Sequence, residues 1–195
     1  MISDTNPSPE ISKEIIIISA LKLLQNMKWA NLEMSRLAKE VGISARDLYY
    51  YIPDKIELLK NIIDHVDLMM IKSYEMVQQP TSTNSHDQLF DIIMCRLEVM
   101  QPDKKAFQNL TLALWTTPFQ SLQTLPEIFG SLNKILKMAS IATGGILGMV
   151  KIKAFAIIYA IILKEWLKEE NSEPSDMMIE IDKLLKQIAP ILRTN

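Results

Sequence analysis

Between residues 44 and 55 the chain gathers side chains suited to holding a nucleic acid rather than to breaking bonds. Arg46 is the strongest base-reading donor there: its planar, permanently charged fork matches the acceptor pair on a guanine edge. Tyr49 and Tyr50 follow at helical spacing on the side of Arg46 and Ala45, and Lys55 lies a few residues on. Catalytic groupings are scarce. The sequence has no Gly-rich phosphate loop, GxSxG or HExxH, and only two histidines, His65 and His86, which leaves little for a His-based metal site. Asp64 and Asp67 beside His65 read as a solvated face. The lone Cys95 lies on an apolar helical face and reads as a core thiol, since a redox thiol needs exposure and a lowered pKa. The expectation is no enzyme, no metal and no cofactor.

These residues need two short helices to aim them. Leu37, Ala38 and Val41 give a helix over 34–41 one apolar face, and Gly42 offers a left-handed stop. Ile43 plugs the turn. Ser44 is placed to cap a second helix over 45–51, with Asp47 three residues on as a variant of the capping box. Leu48 and Ile52 anchor that helix inward, so Ala45, Arg46, Tyr49 and Tyr50 point away. Ala38 is small where the two helices cross. This is a helix-turn-helix, whose second helix can enter a major groove. Pro53 ends it. Asp54 and Glu57 form a second capping pair, opening a long helix with Lys55 in its first turn, beside free backbone N–H groups that favour a phosphate.

Leu32-Glu33-Met34, Leu37-Ala38, Val41-Gly42-Ile43-Ser44, Leu48-Tyr49-Tyr50-Tyr51 and Pro53-Asp54-Lys55 with Leu58-Leu59, read with the helix before them, resemble the DNA-binding domain of the TetR family of repressors over residues 12–60. The resemblance implies an all-α dimer with a divergent ligand-binding C-terminal domain. It implies that Ser44, Ala45, Arg46, Tyr49 and Tyr50 face DNA and that Lys55 touches a phosphate. Two residues depart from the pattern. Glu33 stands where a capping Thr is usual, and Lys28 stands where Gly usually ends the first helix, which predicts a costly φ > 0. Residues 1–60 also hold 8 Lys+Arg against 8 Asp+Glu, a net of zero. Phosphate neutralisation supplies most non-specific DNA affinity, so binding should rest on few contacts.

The whole chain has 195 residues, 48% of them hydrophobic and 23% charged, with a net charge of −2. That excludes a disordered tail and any global positive field. One cysteine excludes an intramolecular disulfide framework. The periodicity is helical nearly throughout, with breaks at prolines and glycines. It predicts an all-α fold of about nine helices: 10–27, 34–41, 45–51, 54–77, 85–101, 103–115, 125–141, 147–169 and 175–191. A head over 10–60 and a ligand-binding, dimerising region over 61–195 follow. No signal peptide is visible at the N-terminus. Lys151 and Lys153 divide the most apolar stretch into uncharged pieces shorter than the ~20 residues a stable membrane span requires. The expected location is cytoplasmic.

Residues 85–141 carry aromatic and sulfur side chains at helical spacing. They read either as plain core or as an apolar pocket lined by Met94, Phe107, Trp115 and Phe119. No polar trio converges in the sequence to say which ligand. Ala154–Leu163 is apolar all round, which predicts a helix buried on every side. Helices near 147–169 and 175–191 would form half of an intermolecular four-helix bundle in a homodimer; a central helix within one chain is the alternative. Gly144-Gly145 with Gly148, Ala156, Tyr159, Trp166-Leu167-Lys168-Glu169-Glu170, Asp176, Met178 and Ile181-Asp182-Lys183-Leu184-Leu185 are similar to the C-terminal domain of the TetR-fold lipid-binding accessory proteins of ubiquinone biosynthesis. That similarity implies a bound lipid or isoprenoid and a relic helix-turn-helix.

Two functions follow as expectations. One is a TetR-like homodimeric regulator, a repressor, that binds operator DNA under the control of an apolar small molecule or lipid. The other is a lipid-binding accessory protein. A plain helical scaffold is a third, weaker reading.

Overall fold

Ser12 opens the first helix: its hydroxyl accepts from the Ile15 N–H at 3.4 Å. In the computed structural model, which describes residues 12–77, 84–116, 118–168 and 174–193 (backbone only at 77, 115, 118–121 and 174), the described residues form nine α-helices and no strand. They are α1 (Lys13–Leu24), α2 (Met34–Val41), α3 (Ala45–Tyr51), α4 (Lys55–Val77), α5 (Ser85–Met100), α6 (Lys104–Thr116), α7 (Pro118–Met138), α8 (Gly145–Lys168) and α9 (Pro174–Arg193). Short 3-10 turns lie at Trp29–Asn31 and Gln101–Asp103. The fold is all-α, as the periodicity requires.

The β-branched run in α1 stays helical because burial offsets its low propensity. Ile16 and Ile17 enter the core with Ala20, Leu21 and Leu24, while Ile15 and Ile18 remain exposed. α1 ends earlier than predicted, at Leu24. Lys28 is extended (φ −71°, ψ 147°), so the left-handed position expected there does not exist and costs nothing. Gly42 is left-handed at φ 82° and stops α2 as expected.

Two boundaries differ for physical reasons. α7 runs through Pro126, where a break was predicted. Pro126 is exposed, so its ring stands on the solvent side of α7. α7 then ends in a Schellman turn. The Ile141 N–H donates to the Leu136 carbonyl at 2.9 Å and the Ser140 N–H to that of Lys137 at 3.0 Å, with Ser140, not a glycine, in the left-handed position at φ 59°.

α4 is the spine. It packs on α1 at its start and on α5 and α7 along its length, burying Leu58, Leu59, Ile62, Val66 and Met70. The 60/61 division therefore falls inside a continuous helix. α8 packs on α7 and α9. It is long and apolar enough to cross a membrane by length and composition, both lysines included. Yet Phe155, Ile158, Tyr159, Ile162 and Trp166 are buried against the bundle, while Ile157 is 65% exposed. Burial on every side, as predicted for 154–163, does not occur within one chain.

Candidate functional site

The head is built from its caps outward. The Ser44 hydroxyl accepts from the Asp47 N–H at 3.1 Å and donates to the Asp47 carboxylate at 2.7 Å, so one residue pair starts α3. Leu48 and Ile52 are fully buried beneath it. Ser44, Ala45, Arg46 and Tyr49 are exposed, and Tyr50 is 86% exposed with its ring edge-on to Tyr51 at 5.5 Å. The structure thus brings five of the predicted contact residues onto one outward surface. Glu33 makes no side-chain cap at the start of α2. Asp54 caps α4 by accepting from the Glu57 N–H at 2.8 Å.

Lys55 is different. Its ammonium turns back to donate to the Trp29 carbonyl, lies 3.5 Å from that of Ala30, and sits 4.8 Å from the centre of the Trp29 ring. Burial holds the amine below its ordinary pKa. Two of its three N–H donors are therefore directed inward. Among the other head cations, Lys22 pairs with Glu40 at 2.8 Å and Lys60 with Glu127 at 3.1 Å. Lys13, Lys28, Arg36, Lys39 and Arg46 are exposed and make no ion pair among the described residues.

Below the head, α4 to α8 enclose a cavity of about 350 Å³. α4 supplies Leu59, Ile62, Ile63 and Val66, a run at helical spacing, and α6 supplies Phe107. The wall is apolar except for Thr111 and for a polar end formed by Arg96, Tyr159 and Ser131. Arg96 is almost wholly buried, its Nε donating to the Tyr159 hydroxyl at 2.8 Å and its Nη1 to Asp67 at 2.5 Å. Asp67 also accepts from Ser131 at 2.6 Å and from Lys134 at 3.0 Å. Burial alone would raise the Asp67 carboxyl, but Arg96, Ser131 and Lys134 bring it below the usual carboxylate range.

Several expectations change here. Asp67 is not on a solvated face; it is 2% exposed and joins α4 to α5 and α7. Polar groups do converge at the cavity, from positions 29 and 63 residues apart in sequence. Of the predicted lining residues, Phe107 lines the cavity. Met94 does not; it is half-buried and packs against the core elsewhere. The side chains of Trp115 and Phe119 lie outside the described residues. The α4 run could have been found from its spacing, and Arg96 from its place among Ile92, Ile93, Cys95, Leu97 and Met100, where a lone cation requires a partner. Cys95 is buried, which pushes its thiol pKa up. No group of three His, Cys, Asp or Glu side chains able to hold a metal occurs among the described residues.

A scan against family models gives no match, and neither does a search of curated proteins. Solved structures do match. A TetR transcriptional regulator from Nitrosomonas europaea ATCC 19718 aligns with a TM-score of 0.70 and 16% identity, covering 90% of this chain and 97% of that one. One from Rhodococcus sp. RHA1 aligns at 0.69 and 15%, covering 90% and 94%. The TetR family repressor AlkX from Dietzia sp. strain DQ12-45-1b, implicated in biodegradation of n-alkanes, aligns at 0.54 and 14%, covering 94% and 99%. At these identities the likeness is one of architecture, and it extends from head to last helix: the chain has the fold of the TetR-family transcriptional regulators.

Proposed function

We propose that the chain is a homodimeric, cytoplasmic DNA-binding transcriptional regulator, a repressor, whose operator affinity is set by an apolar small molecule or lipid in the α4–α8 cavity. The observation that carries this is the outward surface of α3. Arg46, Tyr49 and Tyr50 stand clear of a fully buried Leu48–Ile52 anchor. Arg46 reads a base edge, Tyr49 and Tyr50 press on the groove wall, Ser44 and Ala45 approach the backbone, and Lys55 offers its third N–H to a phosphate. Two heads bind half-sites about one DNA turn apart, ~34–36 Å.

α4 supports the coupling. Its first turn belongs to the head, and Leu59, Ile62, Ile63 and Val66 line the cavity. A ligand that prefers one inclination of α4 shifts the spacing of the heads, by no more than its differential affinity for the two states. An occupant with an apolar body and one acceptor for the Arg96–Tyr159 end fits the wall. The alkane setting of the Dietzia repressor accords with an apolar effector.

Genomic fragments retained by the purified protein at low salt test the reading. Arg46→Ala should weaken retention of the selected operator by about tenfold or more, matching the ~1–3 kcal/mol of a bidentate base contact, and leave the oligomer intact. Retention of no fragment by the parent refutes it. The lipid-binding accessory reading then takes its place, favoured by the largely apolar cavity wall and by the Lys55 amine turned to the Trp29 carbonyl. A lipid in organic extracts of native protein would support it.

A further inference from the structure

Where α5 begins, α7 ends and α9 finishes, a second cleft of about 400 Å³ opens, sharing no lining residue with the apolar cavity. Its charged lining residues are Lys151, Arg193 and the titratable His86, and no carboxylate is among the described residues that line it. Hydroxyls of Ser85 and Ser140 and the apolar side chains of Leu89, Leu185 and Leu192 complete the wall.

Lys151 is the informative residue. It is only 5% exposed, yet its one partner among the described residues is a neutral carbonyl, that of Ala142 at 3.1 Å. An ammonium has three donors, so two remain unspent, and no described carboxylate forms an ion pair with it. A buried cation without a counter-ion is costly and rare unless something supplies the negative charge. Arg193 likewise makes no ion pair among the described residues. The His86 Nε2 is buried and takes no hydrogen bond among the described residues; the carboxylate nearest to it is that of Asp182, whose Oδ1 lies 3.6 Å away while its Oδ2 accepts from Lys186 at 2.5 Å. Asp87 lies 3.5 Å from the other ring nitrogen, so Nε2 is the one without a hydrogen-bond partner among the described residues. The left-handed Ser140, with Ile141 and Ala142 after it, lines this cleft.

We propose that this cleft binds a phosphate-bearing ligand, its phosphate set between Lys151, Arg193 and His86 and its organic part against Leu89, Leu185 and Leu192. Lysine acts here as a point charge and arginine as a fork, the usual pair for a phosphate. The cleft is several times larger than one phosphate group, so it accommodates a phosphate ester, either a soluble one or the headgroup of a phospholipid.

The full chain titrated with inorganic phosphate, at ionic strength held constant with potassium chloride, tests this by thermal melting and calorimetry. The expected result is a saturable rise in Tm. Lys151→Met should abolish that rise while leaving the Tm without phosphate at or above the parent's. Arg193→Ala, at an exposed position that cannot upset the core, should weaken phosphate binding about tenfold. Glycerol 3-phosphate binding that depends on Lys151 identifies a soluble ester. Flotation with phosphatidylglycerol vesicles, but not with phosphatidylcholine alone, and lost in Lys151→Met, identifies a headgroup. The proposal is overturned if the parent shows no saturable response. It is equally overturned if both variants respond like the parent, or if Lys151→Met only lowers the Tm, because Lys151 is then a pin on the Ala142 carbonyl.

Discussion

Asp67 holds three donors on one nearly dry carboxylate: Arg96 and Ser131 share one oxygen, and Lys134 takes the other. A carboxylate so placed cannot lose its charge without stranding a buried guanidinium. Asp67→Asn should therefore cost about 3 kcal/mol or more in urea unfolding at pH 7, as removing one partner of a buried pair does. The pH dependence has a definite sign. Its native pKa lies below the unfolded carboxylate value of about 3.9, so just beneath that value the unfolded chain binds more protons. The stabilisation is whole above pH ~4 and drains away as pH falls through the depressed native value. Parent and Asp67→Asn stabilities should converge in that acid window. Parallel curves down to pH 2 would show that Asp67 contributes no charge-dependent stability.

At the scale of elements, the α7–α8 connection makes the sharpest demand on the sequence. A Cβ on Gly148 would meet the Thr143 carbonyl oxygen at 1.9 Å and its carbon at 2.1 Å, and both are backbone atoms with little room to give. Gly148→Ala should destabilise by about 3 kcal/mol, at the upper end of ordinary overpacking costs. Gly130, inside α7 and facing open space, should behave oppositely, Gly130→Ala gaining up to about 1 kcal/mol of helix propensity. Urea midpoints that move the same way for both would contradict the geometry. Elements were legible where their determinants are local. The Gly42 stop, the Ser44–Asp47 and Asp54–Glu57 caps and the Leu48–Ile52 anchor each span a few residues, and the head follows from them. The continuation of α7 through Pro126 was not legible, because it depends on which side of the helix meets water. The Asp67–Arg96–Tyr159 cluster was not legible either: its members meet only after three helices, α4, α5 and α8, have packed. The outward surface of α3 was readable from sequence, whereas the polar end of the cavity was visible only as an odd arginine.

At the scale of the molecule, one chain leaves apolar surface that its own core cannot use. Ile146, Val150, Ile157 and Ile161 recur at helical spacing along α8 and are exposed, and Met178 and Ile179 are exposed on α9, the helix packed beside it. Paired across a twofold axis, such faces would form a four-helix interface. A stable one needs about 1,000 Å² or more of buried area. Ile157→Asp tests this without touching the core, because the side chain is 65% exposed in the single chain. A charge facing its own symmetry mate, in a site that loses its water on association, should turn a dimer into a monomer in sedimentation while helicity is kept. Operator binding should fall with the oligomer, since only paired heads sum their base contacts over two half-sites. A parent chain that sediments as a monomer at micromolar concentration would remove the twofold spacing on which operator reading depends, however well α3 is exposed.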